Sequence, residues 1–407
     1  MIIARQYQKD IADQALAMLR EYGLVYIAME ERTGKSLTAI LVAEDSLASK
    51  ILIVTKKKAL DGWEFTINNY THVNSYTVIN YESVHKVSGD FDLIILDEPH
   101  DFLSSVPKKT KAWGNVRKFT KGKPIIYTSA TPCSQGKHQL FHQFKISDFG
   151  PYEEYENYYK FYNDYAERGV NDKFKTIYIA GAEERIDYTA VQGDRMWEEC
   201  KHLFITKTRK ELGFEHEPKD VIHYIELSQG IRDCYNILVK HKALSFTSRI
   251  DGQDYDIVCD SPSKLRTSLH MLEGGGIKIG DKYVELDSDE KISFIKKKFG
   301  DTKDLVIMYN YIVEGIKLRK YFKHAEVLQG DTYAEGVDLH QYKHLVIYSQ
   351  SHRVSKHIQR RARQSSKDRK EEINVHYLLV RRAVSDKVYR DVSLKKKNHV
   401  DRMYERI

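Results

Sequence analysis

Seven short runs of this chain are apolar at nearly every position. VYIAM (25–29), ILIVT (51–55), DLIILD (92–97) and PIIYTS (124–129) come early; DLVIMY (304–309), HLVIYS (344–349) and INVHYLLV (373–380) come late. A strand with one face in water alternates apolar and polar residues, so unbroken runs predict strands covered on both faces, as in a parallel sheet. Helical patterns lie between them, such as Ile11 to Leu19 and Ser36 to Leu47. Alternating strands and helices build an α/β layer fold. The signature occurs twice in 407 residues, more than one ordinary core holds. The expected organisation is a first α/β domain over 1–150, a middle region over 151–290, and a second α/β domain over 291–407.

The middle opens with PYEEYENYYKFYNDYAERG, which sets tyrosines at 152, 155, 158, 159, 162 and 165. That spacing makes one helix stripe, either stacked on bases or, more commonly, buried against a neighbouring domain. KTIYIAGAEERIDYTAV has the pattern of a β-hairpin with a glycine-containing loop. DGQDYDIVCDSPSK (251–264) and the run Gly274-Gly275-Gly276 read as loops. The fold class expected is therefore α/β, two mainly parallel sheets with a helical and hairpin insertion.

Bulk properties exclude several classes. Apolar content of 41% with 30% charged residues suits a globular chain. No apolar run approaches the ~20 residues that cross a bilayer, and MIIARQYQKD lacks the apolar centre of a signal peptide. A cytoplasmic location is expected. Cys133, Cys200, Cys234 and Cys259 are far apart with no C-x-x-C pair, so they read as four buried thiols and not as a zinc site. The net charge of +7 is compatible with a polyanionic partner.

The chemistry-bearing stretch is MEERTGKSLTA (29–39). Gly34-Lys35-Ser36 matches the second half of G-x-x-x-x-G-K-[ST], with Met29 where the first glycine stands. The tripeptide alone arises by chance roughly 0.2 times in a chain this long. Its context is informative: a strand precedes it and a helix follows. That arrangement aims loop N–H groups and a helix N-terminus at phosphates. Lys35 would reach the β- and γ-phosphates and Ser36 would hold magnesium. DLIILDEPH then supplies Asp97 and Glu98 at a strand end. Asp97 suits magnesium, and Glu98 suits orienting or deprotonating a water.

Taken in order, these segments resemble a superfamily 2 helicase-type ATPase of the SWI/SNF-type, DEAH-like branch, in a minimal form like its phage relatives. RQYQ (5–8) resembles the Q-motif and EERTGKS motif I; ILIVTKKKALDGW and TVINYESVHK resemble motifs Ia and Ib. DEPH resembles motif II, TSATP (128–132) motif III, TYAEGVDL (332–339) motif V and QRRARQ (359–364) motif VI. DFGPYEEYENYYKFYNDY and KTRKEL…PKDVIHYIELS also resemble segments of that branch. The family builds its phosphate loop with fewer glycines, which accommodates Met29 and Arg32.

The resemblance implies two RecA-like lobes, motifs Q to III in the first and IV to VI in the second, with ATP and Mg2+ as cofactors. It implies ATP contacts from Arg5, Gln8, Arg32, Thr33, Gly34, Lys35, Ser36, Gly336 and Asp338. Catalysis would rest on Lys35, Asp97 and Glu98 with arginines Arg360 and Arg363, and magnesium on Ser36 and Asp97. Coupling of ATP state to movement would involve His100, Ser129, Thr131 and Gln359. Nucleic acid would meet Thr55, Lys56, Lys57 and Thr332. The Lys56-Lys57-Lys58 cluster also fits a solvated loop face. Motif VI admits two registers: Arg360 with Arg363 at i,i+3, or Arg363 first with Ser366 in the second place.

EVLQGD runs directly into TYAEGVDL, so the second lobe is shorter than the family's. The function implied is an ATP-dependent DNA translocase or helicase, acting as a monomer in phage-type replication, recombination or repair (in the host cytoplasm if phage-encoded). DNA, duplex or single-stranded, is the expected partner, ahead of RNA. The competing readings are an ATP-binding nucleic-acid clamp with slow turnover, an RNA-directed helicase, and a small-molecule kinase. The kinase reading leaves TSATP, TYAEGVDL and QRRARQ unexplained.

Overall fold

The computed structural model describes residues 1–179, 183–333 and 339–396. The chain divides into two compact units, the described parts of which are 1–213 and 214–396.

The first unit runs α1 (Gln6–Tyr22), β1 (Leu24–Met29), α2 (Lys35–Glu44), β2 (Lys50–Thr55), α3 (Leu60–Asn69), β3 (Ser75–Asn80), β4 (Leu93–Asp97), α4 (Lys111–Thr120), β5 (Ile125–Thr128), α5 (Leu140–Lys145) and α6 (Tyr158–Tyr165). A hairpin of β6 (Thr176–Ile179) and β7 (Glu183–Ile186) follows, then α7 (Gly193–Cys200) and β8 (Phe204–Lys207). Six strands form one sheet in the order β3-β2-β4-β5-β1-β8, parallel at every pairing. All six residues of β1 and all five of β4 are buried, as unbroken apolar runs require. The register sets Ile27, Thr128 and Asp97 level across β1, β5 and β4. The ends of these three strands therefore share one edge of the sheet.

The tyrosine stripe of α6 is buried inside this same unit. Tyr158, Tyr162 and Tyr165 are at most 4% exposed and pack with Phe141, Tyr152 and Phe161. Their hydroxyls donate to Tyr188 O, Asp187 O and Glu199 Oε2. The stripe thus meets its own unit's core, and bases have no access to these three rings.

The second unit runs β9 (Pro218–Tyr224), α8 (Gln229–His241), β10 (Ala243–Thr247), β11 (Asp254–Val258), α9 (Pro262–Glu273), β12 (Gly276–Ile279), β13 (Lys282–Glu285), α10 (Glu290–Phe299), β14 (Leu305–Tyr309), α11 (Ile312–Tyr321), β15 (Glu326–Gln329), α12 (Gly330–Tyr333), β16 (His344–Ile347), α13 (Val354–Arg361), β17 (Ile373–Leu379) and α14 (Val384–Tyr389). Its main sheet is again wholly parallel, in the order β15-β14-β16-β17-β9. Two antiparallel hairpins, β10-β11 and β12-β13, accompany it.

The fold class is as expected, α/β with two parallel sheets. Of the stretch 151–290, the part up to Gly213 belongs to the first unit and the rest to the second. One local expectation is overturned: 251–264 is not a loop throughout, because DYDIV forms β11 against β10. Its alternation of exposed and covered residues is the half-buried strand pattern, hidden by flanking Asp, Gly and Ser. The cysteines are free, with Cys133, Cys200 and Cys259 buried, but Cys234 is partly exposed. Among the described residues no helix is long and apolar enough to cross a membrane.

Candidate active site

The loop between β1 and α2 is held from three sides. Gly34 sits at the head of α2 with φ +84°, and Arg32 has φ +67°. Both lie in the left-handed region, which costs a non-glycine residue roughly 1–2 kcal/mol. At Gly34 a side chain has no room either, since a Cβ would lie 2.2 Å from Gln8 Nε2. Gln8 is buried and points its amide into the loop. Nε2 donates to Gly34 O at 3.2 Å, while Oε1 accepts from Arg5 N–H at 2.9 Å. Tyr7 OH donates to Thr33 O at 2.9 Å, and the buried Thr33 hydroxyl donates to Glu30 O at 2.7 Å. The α1 segment thus fixes the loop through Tyr7 and Gln8.

The Lys35 ammonium lies over this loop, donating to Met29 O at 2.9 Å and Glu30 O at 3.0 Å. A carbonyl serves that contact whatever the side chain, which is why methionine is tolerated where other loops carry glycine. Ser36, partly exposed, stands in the first turn of the ten-residue α2.

Sequence reasoning did not find the third support. Arg209, 4% exposed and following β8, donates its backbone N–H to Glu30 Oε2 at 2.6 Å. Its guanidinium lies 3.8 Å from Glu30 Oε1 and 3.5 Å from Glu31 Oε2. Parallel pairing of β8 with β1 delivers it there, and Glu30 N–H donates to Lys207 O. The two acids of EERTGKS are therefore a brace for the loop.

Asp97 ends β4, two strands from β1 and about 10 Å across the sheet. Its carboxylate accepts from Thr55 Oγ1 (2.6 Å) and Trp63 Nε1 (3.0 Å) on one oxygen and from Thr128 Oγ1 (2.8 Å) on the other. All three donors are neutral. Burial, and then the neighbouring Glu98, push its pKa up, while the three hydrogen bonds pull it down. Among the described residues no cation pairs with this carboxylate, and a carboxylate held by neutral donors fits a metal ion. Thr55, which the resemblance assigns to nucleic acid, is fully buried, and its hydroxyl serves this carboxylate. The buried Lys56 pairs with Asp101 at 2.8 Å, whereas Lys57 is exposed.

Glu98 follows with φ +48°, a strained conformation for glutamate. Its Oε2 accepts from Ser129 Oγ at 2.7 Å and lies 3.3 Å from His100 Nδ1. Ser129 Oγ also lies 3.2 Å from His100 Nδ1 and accepts from Thr131 N–H at 2.9 Å, and Thr131 Oγ1 lies 3.4 Å from His100 Nε2. The residues expected to couple nucleotide state to movement, His100, Ser129 and Thr131, thus form one network on Glu98.

In the second unit, α13 carries the arginines of QRRARQ. Arg360 is only 1% exposed, and a Cβ on Gly330 would lie 2.2 Å from its Cζ. It packs flat on backbone that only glycine leaves open, with Nη1 3.4 Å from Ser349 O. Arg361 is paired with Asp220 at 2.6 Å, so it is not a solvated charge. Arg363 is partly exposed, just past the end of α13. Gln359 is buried on the same helix. Thr332 donates to Gln329 Oε1 at 2.7 Å. Gly336 and Asp338 lie outside the described residues.

No family model matches the chain, and no curated protein matches it. Among solved structures it is similar to the Sulfolobus solfataricus SWI2/SNF2 ATPase core in complex with dsDNA. The identity is 13%, over 99% of this chain and 93% of that one, with a TM-score of 0.43. It is also similar to the Sulfolobus solfataricus SWI2/SNF2 ATPase core domain, at 12% identity over 98% and 90% of the two chains, again with a TM-score of 0.43.

Proposed function

We propose that this chain is an ATP-driven motor on DNA, a minimal translocase or helicase of the superfamily 2 type. The observation that carries the reading is the shared edge of the first sheet. There a braced lysine loop stands beside Asp97 and Glu98, and the hydroxyl–imidazole network of His100, Ser129 and Thr131 holds Glu98.

The residues fit ATP with magnesium. Loop N–H groups, Lys35 and the start of α2 would hold the phosphates, and Ser36 and Asp97 would hold the ion, which would supply neutralisation of phosphate charge. Lys35 already has its ammonium over the loop carbonyls, so trading them for phosphate oxygens requires only a side-chain movement. Glu98 orients or deprotonates the attacking water. Its link to Ser129 and Thr131 ties that position to the segment after β5, the chain's means of passing on hydrolysis. Gln8, with its amide on Gly34, links adenine recognition to loop shape. Of the two arginines assigned to the nucleotide, Arg363 is the one we propose acts on it, because Arg360 is buried against Gly330. DNA is the proposed track, and a phage-type role in replication, recombination or repair is the proposed setting.

The test is ATP hydrolysis with no polymer, single-stranded DNA, duplex DNA and RNA, with Lys35→Ala and Glu98→Gln beside the parent chain. Stimulation by DNA that both substitutions abolish is expected. Stimulation by RNA alone would move the track to RNA. Hydrolysis that no polymer changes would overturn the motor in favour of a clamp.

A further inference from the structure

The second unit carries a cleft of about 790 Å³ that the nucleotide chemistry does not use. It opens where β9 and β17 end, with α8, the segment leading into α14 and Arg390 just past that helix as its other walls. Four arginines line it: Arg232, Arg381, Arg382 and Arg390. They come from three separate segments, so the fold and not a local charge run gathers them.

Their pairing is incomplete. Arg232 is bonded to Glu226, and Arg390 holds Asp386 through Nε at 3.1 Å and Nη2 at 2.9 Å. Arg381 lies over the Tyr224 ring, 4.2 Å from its centroid. Among the described residues neither Arg381 nor Arg382 has a carboxylate partner. Four guanidinium groups facing two carboxylates leave the cleft with two uncompensated positive charges.

The backbone is also set for this. Arg382 has φ +57°, a left-handed conformation that arginine rarely adopts. Asp386, 3% exposed, pins it by accepting Arg382 N–H at 3.1 Å, and the same carboxylate holds Arg390. Such strain persists only where surrounding contacts impose it, and it clusters at ligand sites.

We propose that this cleft binds a phosphate group, through Arg381 and Arg382, with Asp386 as the residue that positions the two-arginine turn. Guanidinium groups match phosphate oxygens two at a time, and the volume lies in the range of small-molecule sites. The phosphate could belong to a nucleic-acid backbone or to a free phosphate ester. With the backbone as source, the inference rests on the motor reading and names a DNA contact; with a free ester it stands alone.

The test is arginine labelling of the full chain with phenylglyoxal, mapped peptide by peptide, with exposed Arg249 as internal reference. The arms are inorganic phosphate, ADP, a 20-base-pair duplex (about two turns) and sodium chloride at matched ionic strength. Slower labelling of Arg381 and Arg382 but not Arg249 is expected in at least one phosphate arm. Protection by duplex alone identifies the backbone; protection by phosphate or ADP identifies a free ester. Equal labelling in every arm overturns the proposal. The readout needs no ATP hydrolysis, so failure of the phosphate site and failure of the motor reading are told apart. If the backbone is the source, Arg381→Ala with Arg382→Ala weakens duplex binding about tenfold and lowers the salt slope by about 2. Arg381→Lys with Arg382→Lys restores most of the slope, with unchanged melting as the folding control; an unchanged slope in the alanine pair would exclude the backbone.

Discussion

The two parallel sheets handle buried charge in opposite ways. In the first unit, Asp97 is surrounded by two threonine hydroxyls and an indole N–H, none of them charged. In the second, the buried Glu314 accepts from the N–H groups of Asn310 and Tyr311 and from Ser349. Glu273 accepts from the N–H groups of Val384 and Ser385. Burial pushes the pKa of both up, Glu273 to about 7, and the ammonium of Lys291, 2% exposed, pulls them part of the way back while donating to Tyr348 O at 2.9 Å. Lys317 is closed in by Leu286 O, Ser288 O and Asp289. The second unit therefore sets a buried ammonium near its buried carboxyls, whereas the hydrogen-bond donors to Asp97 in the first unit are all neutral.

Substitutions should separate the two. The largest effect is expected from Glu98→Gln, which keeps size and hydrogen bonding but removes the base. Stimulated hydrolysis should fall by about 10²–10⁴-fold, with the melting temperature unmoved. A variant that melts early would mean Glu98 is structural, and the contrast would fail. In the second unit, Lys291→Met should cost about 1–3 kcal/mol in urea unfolding, because the buried Tyr348 O loses its donor and two buried carboxyls lose a nearby cation. A loss under about 1 kcal/mol would show that backbone N–H groups alone hold Glu273 and Glu314.

A smaller effect is expected inside the loop. Gly34→Ala places a methyl group against Gln8 Nε2 on left-handed backbone, so it should weaken ATP binding. Gln8→Ala removes the clash but leaves the dihedral cost. The double variant should therefore bind better than the sum of the singles predicts, a coupling of about 0.5–3 kcal/mol. Strict additivity would disconnect α1 from the loop.

What was legible in the sequence follows the same division. Strands β1, β4, β14 and β17 could be read because burial on both faces demands unbroken apolar runs. Lys35, Asp97 and Glu98 could be singled out because G-K-[ST] between a strand and a helix, and an acid pair after an unbroken apolar run, are local patterns. Arg209 could not: it braces Glu30 from 179 residues away, a contact that exists only because β8 pairs with β1. Thr55 and Trp63 were hidden for the same reason, since nothing local distinguishes a threonine facing Asp97 from one facing a nucleic-acid strand. Nor does anything local mark Gly330, which packing shows makes room for Arg360.

The smallest expected effect concerns acid, and it asks whether the units fail together. His142 in the first unit and His376 in the second are each held down to about 4, chiefly by burial. His142 gains a partner in Ser105 O at 2.6 Å but faces Lys109. His376 faces His223, His344 and Lys298. In the unfolded chain both titrate near 6.5. Below that pH the unfolded state takes up protons that the folded state refuses, so stability is full above about 6.5. It declines as pH falls and stops declining from this source near 4. His142→Asn should flatten that decline for the first unit alone, and His376→Asn for the second alone, as followed by hydrogen exchange of each sheet between pH 7 and 4. If either substitution flattens the decline in both sheets, the two units unfold as one cooperative body, and the contrast between their buried carboxyls does not extend to stability.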